Sequence, residues 1–332
     1  MRPILSVSIL ATALLIAPLS APLVTPLEAQ DRPASCPTGT LSQQATADAC
    51  EKAIDLFAYM MPQLGTALVG GSHTLGMGST LGGFPHFSVA LRANAVSGDL
   101  PDVENMSVSS TGANRDAIAT NSQFVALPAV DFALGIWKGF PMGVSRVGGI
   151  DLLGNVTYVP SIENGGLTID PTDGSTKFGI GARIGILEQS LVVPGVSFSY
   201  LVRDVPTLDI TAQSPDADFA IDDFSVQTKS WRLAAQKNLL LVELGLGVGQ
   251  DTYESSANMT TTVGAVTAPP IDLDQSLTRT TFYGSLGFNL FLAKVVAEIG
   301  QVSGGDVPTF NSFDEAADKS RLYGSLGVRI SF

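Results

Sequence analysis

Eleven ionisable side chains could do chemistry together: Arg92, Asp131, Asp151, Arg183, Arg203, Arg232, Glu243, Arg279, Glu298, Arg321 and Arg329. Each shares a sequence parity with Ser, Thr, Tyr or Gly and stands opposite a parity of apolar residues. On β-strands a period of two puts such residues on one face of a sheet. If that face is enclosed, guanidinium and carboxylate groups pair across it, because a lone buried charge is costly. The alternative is a polar, weakly cationic passage for a solute. No enzyme is expected. The only histidines, His73 and His86, lie in or beside a glycine-rich run, and the His86 and Ser88 pair at i, i+2 arises readily by chance. There is no Gly-x-Ser-x-Gly elbow, no His-Glu-x-x-His and no dinucleotide or phosphate-loop fingerprint. The two cysteines, Cys36 and Cys50, have no histidine at ligand spacing. A disulfide closing a short loop is therefore expected rather than a metal site, and no cofactor is implied.

Strands must position these charges. Alternation places them over 85–96, 124–138, 145–159, 176–187, 190–203, 221–236, 239–253, 276–292, 294–303 and the terminal 318–332. In the seventh, Val242, Leu244, Leu246 and Val248 oppose Glu243, Gly245, Gly247 and Gly249. The sixth changes phase between Val226 and Trp231, which predicts a bulge there. The segment YGSLG recurs at 283–287 and 323–327, one hairpin apart. Connections alternate in length: 97–123, 160–175, 204–220, 254–275 and 304–317 are long, while 139–144, 188–189, 237–238 and Ala293 are short.

Ahead of the strands, residues 1–29 have the charged start, apolar centre and small-residue end of an export signal, with cleavage after Ala29. Residues 45–61 show helical periodicity, with Asp48 and Glu51 as a capping box and Pro62 as the stop. Residues 56–91 contain no Asp, Glu, Lys or Arg, yet prolines and glycines break them too often for a membrane helix. The glycine-rich stretch 63–85 reads either as a flexible connector or as a plug within a barrel. Three segments result: 1–29 as signal, 30–83 as helix and plug or periplasmic piece, and 84–332 as barrel.

Mean hydropathy is +0.28, and charged residues are 15% of the chain, against about 25% in soluble domains. An exported chain this apolar, with no membrane helix, can bury its apolar residues in a large core or face lipid through strands. The formal charge of −13 argues against nucleic acid as partner. Acidic residues gather in the expected loops: Asp99, Asp102 and Glu104; Asp204, Asp209, Asp216, Asp218, Asp222 and Asp223; Asp306, Asp314 and Glu315.

The last strand sets Leu322, Leu326, Val328, Ile330 and Phe332 against Arg321, Tyr323, Ser325 and Arg329. It resembles the C-terminal strand of bacterial outer-membrane β-barrels, which closes on a terminal Phe. Together with the two-class connections, the resemblance implies an all-β, antiparallel up-and-down transmembrane barrel of about ten strands, ten to fourteen being allowed. It also implies an outer-membrane location, lipid as partner, and insertion by the barrel-assembly machinery through the strand ending at Phe332. The helix, proline and glycine-rich run are loosely similar to the hatch of outer-membrane fatty-acid transporters, and to an uncharacterised group of exported barrels. The chain lacks the transporters' Asn-Pro-Ala motif and is shorter, so no binding residue carries over. The expected function is a passive channel for small or hydrophobic solutes. The alternative is a non-transporting barrel with a closed, ion-paired lumen.

Overall fold

Ten antiparallel strands close into a barrel: β1 (Phe87–Pro101), β2 (Thr120–Trp137), β3 (Ile150–Tyr158), β4 (Thr176–Leu187), β5 (Gly195–Asp204), β6 (Asp218–Leu239), β7 (Val242–Val263), β8 (Ile271–Leu290), β9 (Ala293–Ser303) and β10 (Arg321–Ser331). Each pairs with its sequence neighbour, and β10 returns to β1 from Ser331↔Ser88 to Tyr323↔Val96. Closure leaves no free sheet edge, which a strand-built membrane span requires. The computed structural model describes Cys36 and residues 41–332 other than Ser72 and Gly165, so the expected export signal lies outside the described residues. Among the described residues no helix is long and apolar enough to cross a membrane.

One end of the barrel carries connections 138–149, 188–194, 240–241 and 291–292, together with the start of β1 and the chain's last residue. Two of these are longer than the sequence suggested, since 140–147 forms a small hairpin. At this end Phe87 and Phe332 exchange backbone hydrogen bonds of 2.9 Å and stack at 5.1 Å. The other end carries 102–119, 159–175, 205–217, 264–270 and 304–320.

The expected long loops 204–220 and 254–275 are largely strand. β6 and β7 run 22 residues each and β8 runs 20, about twice what a membrane-spanning strand needs. Their polarity inverts partway. Near the short turns Leu233, Leu244, Leu246, Phe282, Leu286 and Phe288 point outward and are exposed. Beyond the row Trp231↔Gln250↔Thr280 the outward residues become polar, with Lys229 bonded to Glu254 at 2.6 Å and Thr252 to Thr278 at 3.0 Å. There the inward residues are apolar and buried: Phe219, Ile221, Phe224, Val226, Tyr253, Met259, Leu273 and Leu277. The change between Val226 and Trp231 is thus an exchange of surroundings with unbroken alternation. The bulge lies elsewhere, between Asp222 and Ser225, with Asp223 at φ 54°. Strands 208–213, 167–171 and 162–164 extend this upper sheet from β6 into a head.

Helix α1 (Leu41–Val69) fills the head. It is longer than predicted at both ends and contains Pro62. The proline removes a helical hydrogen bond, at a cost of about 3 kcal/mol in an isolated helix. Packing outweighs that cost. Phe57 meets Phe224 edge-on at 5.8 Å, Tyr59 stacks on Phe313 at 4.0 Å, and Gly65 admits the Tyr253 ring where a Cβ would lie 2.6 Å away. The Gln63 amide also donates to the Tyr59 carbonyl at 3.2 Å, beside the proline. Asp48 is inside the helix, not its cap, and its carboxylate accepts from the backbone N–H groups of Ser109 and Asn114, each at 2.8 Å. Asp55 accepts from the N–H groups of Phe310 and Asn311. The start of α1 therefore lies among the long loops, and Cys36 and Cys50 are bonded there.

Lys52 donates to Asp48 at 2.7 Å and Asp116 at 2.6 Å, fastening loop 102–119 to the helix. Burial pulls the Lys52 ammonium down, but the hydrogen bonds to Asp116 and Asp48 outweigh it and hold its pKa above the ordinary lysine value. A raised folded-state pKa makes this contribution full below about pH 10.4, the unfolded value, and loses it as pH rises through the folded pKa. The Ser109 and Asn114 amides are expected to stay protected from hydrogen exchange through mildly alkaline pH and to lose protection above that value, after correction for intrinsic rates. Lys52→Met should remove the protection at neutral pH.

Candidate functional site

The barrel interior is built by the parity rule. Arg92, Asp131, Arg183, Arg203, Arg232, Glu243, Arg279, Glu298, Arg321 and Arg329, with Asp151, all point inward and are buried. The register stacks them in rows. Asp151, Arg183, Ser199 and Arg232 are successive partners across β3, β4, β5 and β6. Arg92 bonds Asp131 at 2.5 Å, Arg183 bonds Asp151 at 3.3 Å, and Arg232 bonds Asp251 at 2.7 Å. Arg321 bonds Asp99 at 2.7 Å, and Glu243 takes Arg329 at 2.9 Å and also Lys294. Tyr323 donates to Glu298 at 3.1 Å, while Arg279 reaches up to the Gly304 and Lys319 carbonyls. Inside a closed tube such pairing neutralises charge that water would otherwise solvate.

Below α1 the chain continues down the lumen to β1, passing wall groups at successive heights. Arg92 donates to the Gly70 carbonyl at 2.7 Å; Arg183 donates to the His73 carbonyl at 2.6 Å and to the Thr74 hydroxyl. Arg329 donates to the Leu75 carbonyl. Gly78 N–H donates to Gln236 at 2.7 Å, and Leu81 N–H to Asp151 at 3.1 Å. The glycine-rich run is thus a plug inside the barrel. Its glycines are needed for contact: a Cβ on Gly78 would lie 2.7 Å from the Gln236 backbone, and Gly76, at φ 71°, would press on Val296.

Several residues of this network differ from the sequence reading. Asp99, expected in a loop, is in β1 and buried against Arg321. Asp209, Asp218, Asp222 and Asp223 are on strands of the head. Asp251 and Lys294 were not among the eleven positions; Asp251 shares the parity of Glu243 and was recoverable from it. His86 and Ser88 form no unit. His86 bonds the Gly83 carbonyl, while Ser88 donates to the Ile330 carbonyl. His73 instead meets Ser199 at 2.8 Å, a contact without any sequence signal, and both are sealed from solvent. A groove of about 530 Å³ lined by Val89, Phe132, Leu152, Phe178 and Ile180 lies on the outer apolar face.

No protein-family model matches the chain, and no curated protein does. Among solved structures, the translocator domain of the autotransporter NalP from Neisseria meningitidis overlaps 86% of this chain and 98% of its own at 9% identity and a TM-score of 0.39. The Pseudomonas putida toluene transporter TodX overlaps 80% and 92% at 10% identity, TM-score 0.32. The attachment invasion locus protein Ail of Yersinia pestis overlaps 74% and 98% at 10% identity, TM-score 0.27. All are barrels, and at these scores the overlap carries no functional argument.

Glu243 is shared by two cations, Arg329 and Lys294, and Gln236 also donates to it. Glu243→Gln keeps its shape and leaves Arg329 and Lys294 without that countercharge. The expected loss is about 3–5 kcal/mol, the cost of breaking a buried pair. It should be read as a lower temperature at which the folded, faster-migrating gel band converts to the unfolded one.

Proposed function

We propose that the protein is an integral outer-membrane barrel with a closed lumen, and that its work is done by the head its long strands raise outside the cell. The end whose connections are on average shorter faces the periplasm and the other end faces out, as in bacterial outer-membrane barrels. The single observation carrying the closed reading is the attachment of the plug: carbonyls, amides and a hydroxyl between Gly70 and Leu81 bond side chains of β1, β3, β4, β6 and β10. Hydrogen bonds to charged groups contribute about 1.5–3 kcal/mol each. Withdrawing the plug breaks several at once, on the order of 10 kcal/mol, so thermal opening for a passive solute is disfavoured.

The head supports a role in surface interaction without catalysis or cofactor. It has its own apolar core around α1, a disulfide and an acidic exterior including Asp204, Asp216, Asp218 and Asp274. In planar bilayers the intact protein is expected to give no step conductance. An Arg183→Ala/Arg329→Ala variant, which removes the bonds from Arg183 to the His73 and Ser79 carbonyls and the Thr74 hydroxyl and from Arg329 to the Leu75 carbonyl, should show intermittent opening. Steady conductance or liposome uptake of solutes by the unaltered protein would reject the closed reading in favour of a channel.

A further inference from the structure

Each periplasmic turn carries exposed apolar side chains at its tip, where a water-facing turn is ordinarily polar, with Lys138, Arg146 and Glu188 flanking the tips of the first two. Phe140, Met142 and Val144 occupy the first, Leu191 and Val192 the second, Leu240 and Leu241 the third, and Phe291 and Leu292 the fourth, all exposed in the isolated chain. Leu240 is 94% exposed and Phe291 fully so. Both have left-handed backbones, with φ 55° and φ 42°. Two-residue hairpins place Asn or Gly at such positions because a branched or aromatic side chain strains there. Leucine and phenylalanine therefore carry a conformational cost and, in water, a hydration cost as well.

The height of the apolar band indicates where these side chains go. On β7 the outward apolar run ends at Gln250, eight residues above Val242, and on β9 it ends at Gln301, eight above Ala293. A strand rising ~3.3 Å per residue and tilted ~40° climbs ~2.5 Å along the barrel axis per residue, so eight residues give ~20 Å. The outward apolar band of such barrels is ~25 Å tall. The two-residue turns below Val242 and Ala293 supply the missing rows.

We propose that the four short turns are immersed in the periplasmic leaflet of the outer membrane, with Leu191, Leu240 and Phe291 against acyl chains. The inference rests on the outer-membrane reading. A leaflet fits better than a docked protein, because the apolar tips ring the whole mouth on all four turns. The barrel then sits low, with its lower rim in hydrocarbon and its head projecting far outside.

Single-tryptophan proteins, with Trp137 and Trp231 replaced by Phe, test this in phosphatidylcholine bilayers brominated along the acyl chain. Tryptophan at Phe291 or Leu240 is expected to lose about half its emission, as a side chain ~5–10 Å inside the boundary would. Tryptophan at Leu246, in the middle of the band, is the control. If Leu246→Trp is not quenched, the membrane reading itself fails. If it is quenched while Phe291→Trp is reached only by aqueous iodide, the immersed turns are rejected and the barrel stands. A second test rests on sign. In water Leu240→Asn and Phe291→Asn would relieve strain and raise the unfolding midpoint in bilayers; immersed, they should lower it.

Discussion

A charge enclosed by a closed barrel wall has little water to solvate it, and much of this structure answers that constraint. Seven arginines line the lumen: Arg92, Arg183, Arg203, Arg232, Arg279, Arg321 and Arg329. Carboxylates from other strands meet five of them, and backbone carbonyls of the plug or loops take further donors. Removing either side of such a pair leaves an uncompensated buried ion. The plug is part of the same accounting of polar groups. Gly70, His73 and Leu75 have no regular partner for their carbonyls once α1 has ended, and the wall arginines provide one. Barrel and plug therefore satisfy each other.

Above Trp231, Gln250 and Thr280 the solvent changes sides. The same strands, in the same alternation, now have water outside and a helix inside. Phe224 and Tyr253 point inward like Arg232 and Glu243 below them, and Lys229 points outward like Leu233 and Leu239. Nothing in the backbone marks the boundary, because hydrogen bonding between strands is indifferent to what surrounds the side chains. The indole of Trp231 does mark it, with an apolar body toward the band and an N–H donated to Gln250 at 3.2 Å. Helix α1 becomes a core element only here, where Phe57, Tyr59 and Leu56 find apolar walls. Its lower end enters the polar lumen, where Gln63 exchanges hydrogen bonds with the Asp99 backbone.

The sequence alone determined what a period of two can express: ten strands and which residues face in. Arg183 and Ile184 differ in environment because they are adjacent on a strand, and adjacency is written in the chain. Tertiary structure decided what adjacency does not encode. Arg321 meets Asp99 across 222 positions and Arg329 meets Glu243 across 86, so no local pattern selects those partners. Pro62 stays helical because Phe224 and Phe313 hold its neighbours, whereas propensity alone ends the helix there. The change after Val226 resembled a slipped register because alternation records only that two sides differ, and says nothing of which side is wet. That last property belongs to the assembled barrel: below the Trp231 row the outer face is apolar and the interior polar, and above it the helix makes the interior the apolar side.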